Sequence, residues 1–270
     1  MRFSIIVVCL NAGDKLNDTL SSILSQDFQD YQVVVKDGKS TDGSIEGMLQ
    51  DQRIRLYVEG DKSIYDAMNQ AVSYAEGEYI IFLNCGDRFH HSQVLGQVDE
   101  CIRRNQKEPE QRLIVYGKLY NEKTDSWITP APAITGFTCY RNVPCHQSCI
   151  YDARLCREKS FDISFQIRAD YEHFLWCYYK GGAKIVYLDS TVADYEGGGY
   201  SETKENLKRS KREHRVITAR YMTRGERIKY RTILLLTLAP LRTYLAGSRR
   251  FAGAYHKFTS LLYKKGKERY

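Results

Sequence analysis

Tyr79-Ile80-Ile81-Phe82-Leu83-Asn84-Cys85-Gly86-Asp87 is the stretch on which the fold turns. Its apolar residues are continuous rather than alternating, the pattern of a strand covered on both faces. Gly77 and Gly86 bracket it as turn signals. The run ends in a carboxylate, and open α/β sheets bind ligands beyond the carboxyl ends of their strands. Alone, the stretch reads as an ordinary strand followed by a turn aspartate. The segments around it shift that reading toward a ligand site.

Working outward, strand and helix signals alternate. Residues 3–10, 31–36, 54–58 and 78–83 read as strands, and 15–25, 44–49 and 64–75 as helices. Such a βαβ series builds a parallel sheet, and right-handed crossovers place the loops after all four strands on one edge. Beyond a helix over 93–104 the pattern loosens. Residues 113–116, 126–128 and 183–188 read as strands and 170–179 as a helix. The stretch 130–147, with Pro130, Pro132, Gly136 and Pro144, reads as a long loop of the functional kind. Gly197-Gly198-Gly199 marks flexible backbone suited to a lid or hinge.

The 270 residues suffice for one large core or two small ones. The net charge of +7 is unevenly spread: residues 201–270 carry 19 Lys and Arg against 5 Glu, or +14, leaving 21 against 28, or −7, for residues 1–200. The N-terminal apolar run is short and β-branched and leads into Asn11-Ala12-Gly13, unlike a secretory signal. No apolar run reaches the ~20 residues that span a bilayer, so a cytoplasmic protein is expected. Eight cysteines without framework spacing suit that compartment. Cys139, Cys145, His146, Cys149 and Cys156 lack the paired spacing of a zinc site, which favours buried thiols.

Neither a G-x-G-x-x-G fingerprint nor a P-loop is present, which disfavours dehydrogenases and P-loop enzymes. The strand ends offer acid instead: Asp37, Asp61 and Asp87, with Asn11 and Asn84 beside them. Carboxylates there suit ribose and base-edge hydrogen bonds, or a divalent cation bridging phosphates.

Val33-Val34-Val35-Lys36-Asp37-Gly38-Lys39-Ser40-Thr41-Asp42-Gly43 resembles the strand-two motif of family 2 glycosyltransferases. Glu59-Gly60-Asp61-Lys62-Ser63-Ile64-Tyr65-Asp66-Ala67-Met68-Asn69 and the run ending at Asp87 follow in that family's order. The likeness resumes at Cys145-His146-Gln147, at residues 161–171 and at 183–201, where it resembles bacterial polysaccharide-assembly members of the colanic-acid type. The resemblance implies a GT-A α/β fold, a Rossmann-like, mostly parallel mixed sheet flanked by helices, with a C-terminal helical extension. It divides the chain into a catalytic domain over 1–202, with a nucleotide-sugar half at 1–105 and an acceptor half at 106–202, and an extension over 203–270. It also implies inverting transfer of a sugar from a nucleotide diphosphate, UDP first and GDP or dTDP next, to a hydroxyl of a glycan or polyprenyl-linked acceptor.

By the same resemblance, Asn11, Asp37, Asp61, Lys62, Asn69, Asn84 and Asp87 contact the donor, and Asp87 holds Mg2+ or Mn2+ against the diphosphate. His146 and Gln147 contact donor or acceptor sugar, and Asp170 is the base that takes the acceptor proton. Residue by residue, Asp37 also reads as an Asx-turn, Asp170 as a helix cap and His146 as a structural histidine. Glu172, two residues on, faces elsewhere on a helix. The chain departs from the family pattern where Asn84 and Cys85-Gly86 leave Asp87 as the single acid. Lys39 and Ser63 stand where Gly is common, and Ala169 where Glu is. A non-catalytic nucleotide-sugar or membrane-binding module with a degenerate metal motif is the rival reading.

From Thr203 onward the sequence reads as basic amphipathic helix, with Arg227, Lys229, Arg231, Arg242, Arg249 and Arg250 interleaved with Ile233, Leu234, Leu235, Leu241 and Phe251. That pattern suits an anionic membrane surface, and the resemblance implies the inner face of the cell membrane. It also fits a helix packing its Leu face on the catalytic domain. No nucleic-acid recognition motif is present.

Overall fold

A computed structural model describes residues 1–197 and 203–237. The first half forms as its periodicity predicts. β1 (Phe3–Cys9), β2 (Tyr31–Asp37) and β4 (Tyr79–Phe82) are buried along their whole length, because helices cover both faces. β3 (Ile54–Val58), at the sheet edge, buries only Ile54. β1 pairs in parallel with β2 and β4, and β2 with β3, so their C-terminal loops share one edge. α1 (Lys15–Leu24) buries Leu16, Thr19, Leu20 and Ile23, a stripe at helical spacing. α2 (Ile64–Val72) starts where Ser63, in extended conformation, accepts the Asp66 N–H as an N-cap. Residues 44–49, expected as a helix, form a turn: the Asp42 carboxylate takes both the N–H and hydroxyl of Ser44, and Gly43 sits at φ +82°.

The second half is more regular than expected. After the short β5 (Arg88–Phe89), α3 (Val94–Asn105) leads to β6 (Leu113–Asn121), whose hairpin partner is β7 (Ser126–Ile128). The expected loop over 130–147 contains α4 (Gly136–Arg141), capped reciprocally by Thr135 and Thr138, and runs into a 3-10 turn at His146–Ser148. β8 (Cys149–Asp152) follows, too short to announce itself, and inserts antiparallel between β4 and β6. α5 (Ala153–Glu158) and α6 (Ala169–Tyr179) precede β9 (Lys184–Tyr195), which runs parallel to β6 for twice the expected length. The sheet order is β3-β2-β1-β4-β8-β6-β9-β5, with β7 on β6.

α7 (Lys204–Tyr221) and α8 (Arg224–Leu236) follow. The chain divides into compact units Met1–Ile217 and Thr218–Tyr270. Residues 204–217 therefore belong to the first unit, whereas the sequence reading puts the boundary at 202. α7 packs with Asn206, Ser210, Glu213 and Ile217 buried, a mainly polar seam. α8 buries none of its residues. The expected hinge, apart from Gly197, and the tail from Leu238 lie outside the described residues.

Candidate functional site

The loops after β1, β2 and β3 are tied together before any ligand is considered. Asn11 holds φ +51°; its N–H donates to Ser40 Oγ, and its Oδ1 accepts from the Thr41 N–H. Asp37, almost fully buried, accepts the N–H groups of Lys39 and Ser40, the Ser40 hydroxyl and the Cys9 thiol. Its carboxylate is thus consumed in holding the β2 loop, the Asx-turn role. Lys36, fully buried, donates to the carbonyls of Asp37 (3.1 Å) and Glu59 (2.6 Å) and to Asp61 Oδ2 (3.4 Å). Asp61 comes so close to Gly38 that a Cβ there would lie 2.8 Å from its Oδ2, which accounts for the glycine. Asn11, Lys15, Asp61, Lys62, Asn84 and Cys85 line a cavity of about 540 Å3 over this edge.

A second cavity of about 250 Å3 shares Ile64, Asn84 and Cys85 with the first and is lined further by Tyr65, Asp87, His146 and Gln147. The loop between β4 and β5 separates the two, and Thr19 of α1 holds it. The buried Thr19 hydroxyl donates to the Asp87 carbonyl and accepts the Gly86 N–H, each at 2.9 Å. The Asp87 side chain accepts from Gln147 Nε2 (3.1 Å) and from the Glu196 N–H (3.2 Å). Burial raises its pKa to about 6, against the opposing hydrogen bonds and the His146 charge.

Glu196, not singled out from the sequence, reaches over this loop. Its carboxylate pairs with Lys15 Nζ at 2.6 Å and takes the space a Cβ on Gly86 would need. Among the described residues no three His, Cys, Asp or Glu side chains gather as a metal cage. Asp87 still has lone pairs to spare beyond its two hydrogen bonds. It fits the arrangement in which a hard cation takes one protein carboxylate and completes its shell with phosphate oxygens and water.

Across the second cavity, His146 Nε2 lies 3.1 Å from Asn84 Nδ2 and Nδ1 lies 3.3 Å from Asp170 Oδ2. An ionised carboxylate only accepts, so Nδ1–H is the donor to Asp170 and Nε2 meets the Asn84 amide. Asp170 Oδ1 accepts from the Tyr65 hydroxyl (3.1 Å) and the Tyr171 N–H (2.8 Å). Burial pushes the Asp170 carboxyl up, but the His146 hydrogen bond and charge, the Tyr171 N–H and Tyr65 together hold it below the ordinary carboxylate value. Its side chain remains 25% exposed, so an ionised acceptor faces accessible space. Such a group can take a proton from a bound hydroxyl. Glu172 is fully buried against Lys159 and points away, as its helical position predicts.

Of the expected site residues, Asn11, Asp61, Lys62 and Asn84 line the first cavity, and Asn84, Asp87, His146 and Gln147 the second, with Asp170 on His146. Asn69 is used otherwise. Its amide exchanges two hydrogen bonds of 2.9 Å with the Phe161 backbone, joining α2 to the segment before α6. Tyr65 is a partner of Asp170 that residue-by-residue reading misses, because its only signal is a place in the motif that carries Asp61.

Comparison with known proteins identifies the family and the fold. A family model described as glycosyl transferase family 2 matches residues 4–125. A PGL/p-HBAD biosynthesis glycosyltransferase of Mycobacterium bovis is 30% identical over 217 residues, covering 77% of this chain and 83% of the relative. Among solved structures, TarS 1-349 of S. aureus in complex with UDP aligns with a TM-score of 0.64 at 19% identity, over 93% of this chain and 73% of that one. The mannosyltransferase PcManGT from Pyrobaculum calidifontis, in complex with GDP-Man and Mn2+, aligns with a TM-score of 0.64 at 16% identity, over 96% and 80%.

Proposed function

The chain belongs to glycosyl transferase family 2, a transferase on the GT-A fold, and from that premise we propose that it moves a sugar, with inversion, from a nucleotide diphosphate to an acceptor hydroxyl. The observation that carries this reading is the pair of adjoining cavities, with Asp87 lining the second and the ionised Asp170 hydrogen-bonded to His146 of the same lining. The nucleoside occupies the first cavity, against Asn11, Asp61 and Lys62. The diphosphate lies toward Asp87 and the transferred sugar enters the second cavity beside His146 and Gln147.

As the acceptor oxygen bonds to the anomeric carbon, its proton passes to Asp170 Oδ2 or Oδ1. The bond to the diphosphate breaks, and its electron pair leaves with the nucleoside diphosphate. A Mg2+ or Mn2+ ion beside Asp87 would neutralise charge building on that leaving group. Tyr65 and His146 hold the base in register. UDP is the first donor nucleotide to consider, since a structural neighbour was solved with it, and GDP and dTDP follow.

The acceptor is a growing or polyprenyl-linked glycan at the inner face of the membrane. Supporting this are the exposed Lys204, Lys208, Lys211 and Arg212 on α7 and, on α8, exposed Ile228, Leu235 and Leu236 beside Lys229 and Arg231. No described helix is long and apolar enough to cross a membrane. Peripheral attachment is tested with phosphatidylglycerol vesicles before and after truncation at Gly225; equal binding contradicts it. The reaction is tested by incubation with labelled UDP-, GDP- and dTDP-sugars plus Mn2+, looking for transfer or hydrolysis. Binding without turnover on any of them contradicts it.

A further inference from the structure

Asp170 stands at the start of α6, where the positive pole of the helix and its free N–H groups favour the ionised, weakly basic carboxylate. The backbone just before it carries three consecutive N–H groups, on Gln166, Ile167 and Arg168. All three donate to one side chain, Glu213 of α7: Gln166 to Oε1 at 3.0 Å, Ile167 to Oε2 at 3.0 Å and Arg168 to Oε2 at 2.9 Å. Glu213 is buried to 8% exposure within a helix whose neighbouring positions are Lys and Arg. A buried carboxylate is costly unless its lone pairs are taken up, and here three donors take them up.

The segment so held touches the reacting side of the site. Gln166 and Ile167 line the second cavity, and the Ile167 carbonyl accepts from the same Tyr65 hydroxyl (2.9 Å) that reaches Asp170. Ser210, one turn back on α7, accepts from the Arg168 guanidinium at 2.7 Å, so the helix grips this turn by side chain as well as backbone.

We propose that Glu213 is a positioning residue for the Asp170 base. It fixes the 166–168 backbone, and with it the Ile167 carbonyl that shares the Tyr65 hydroxyl proton with Asp170. The inference rests on the reading of Asp170 as base. It also makes the first part of the basic C-terminal extension a working part of the catalytic unit rather than an appendage. Glu213 does not touch substrate; it acts through backbone and Tyr65. Glutamine keeps the volume but replaces one acceptor oxygen with a donor facing N–H groups, so Glu213→Gln leaves at least one of the three unsatisfied.

The test uses full-length Glu213→Gln, Glu213→Asp, Ser210→Ala and Asp170→Asn proteins, with each UDP-, GDP- and dTDP-sugar of the panel plus Mn2+. Amide hydrogen exchange of residues 166–172 is followed without substrate. In Glu213→Gln, exchange of these amides accelerates and kcat falls about 10- to 100-fold, as expected when a reacting group is misplaced. Donor KM stays within about twofold of the parent. Glu213→Asp, with the charge kept and the reach shortened, falls between, and Ser210→Ala, which loses only the side-chain hold on Arg168, lowers kcat less than Glu213→Gln. Unchanged exchange, retained kcat, or a donor KM that rises in step with the loss of kcat overturns the inference. Should Asp170→Asn retain transfer, the base assignment falls; should it lose transfer while Glu213→Gln does not, only the positioning role falls.

Discussion

The Nδ1 atom of His146 lies 3.3 Å from Oδ2 of Asp170, joining the turn before β8 to the first turn of α6. Burial alone would raise the Asp170 carboxyl, and the His146 hydrogen bond and charge are the leading influences holding it down. His146→Ala should therefore raise the Asp170 pKa. The acid limb of the kcat–pH profile moves to higher pH, because the base now protonates earlier as pH falls. Loss of aim lowers kcat on the plateau by about tenfold or more. A profile superimposable on the parent's would show that His146 does not act on the base.

Thr19 serves the loop that carries Asp87 from beneath, giving its proton to the Asp87 carbonyl and taking the Gly86 N–H. Valine has the same shape and neither function. Thr19→Val should destabilise the protein by about 1–3 kcal/mol, the usual cost of stranding a buried polar group, and weaken Mn2+-dependent UDP binding as Asp87 loses its support. Urea unfolding and calorimetric titration measure the two effects. Full stability together with parental UDP affinity would contradict this account of the loop.

His173 of α6 is buried among Tyr151, Phe161 and Trp176, and burial lowers its pKa to about 4. Unfolding restores the ordinary value near 6.5, so between about pH 6.5 and 4 the unfolded chain binds the extra proton and stability falls with pH. The shift corresponds to about 3 kcal/mol across that window. His173→Phe should remove this part of the acid sensitivity, read as a flatter dependence of unfolding free energy on pH. An unaltered slope would mean the imidazole is not kept neutral by the fold.

The parallel half of the sheet is legible because β4 is an unbroken apolar run and β1 and β2 centre on apolar residues 5–8 and 33–35, and the order of the first four strands brings Asn11, Asp61 and Asp87 to one edge. The second half is less legible. β8 has four residues, too few for a periodic signal, and α4 depends on a Thr135–Thr138 cap hidden in a proline-rich stretch.

Residue type alone does not announce that Asp37 accepts from the Lys39 and Ser40 N–H groups or that Asn69 pairs with the Phe161 backbone. Glu213 sits in a run of Lys and Arg with no motif around it. Its partners are main-chain N–H groups more than forty residues earlier, which no local pattern announces.

The central claim is that Asp170 takes the acceptor proton, and Asp170→Asn tests it with almost no change of shape. Single-turnover transfer from the donor identified in the nucleotide-sugar panel is measured alongside calorimetric binding of that donor's nucleotide with Mn2+. Loss of a general base predicts a transfer rate lower by about 10²- to 10⁴-fold with nucleotide affinity unchanged. Transfer within a few-fold of the parent, at full nucleotide binding, would contradict it.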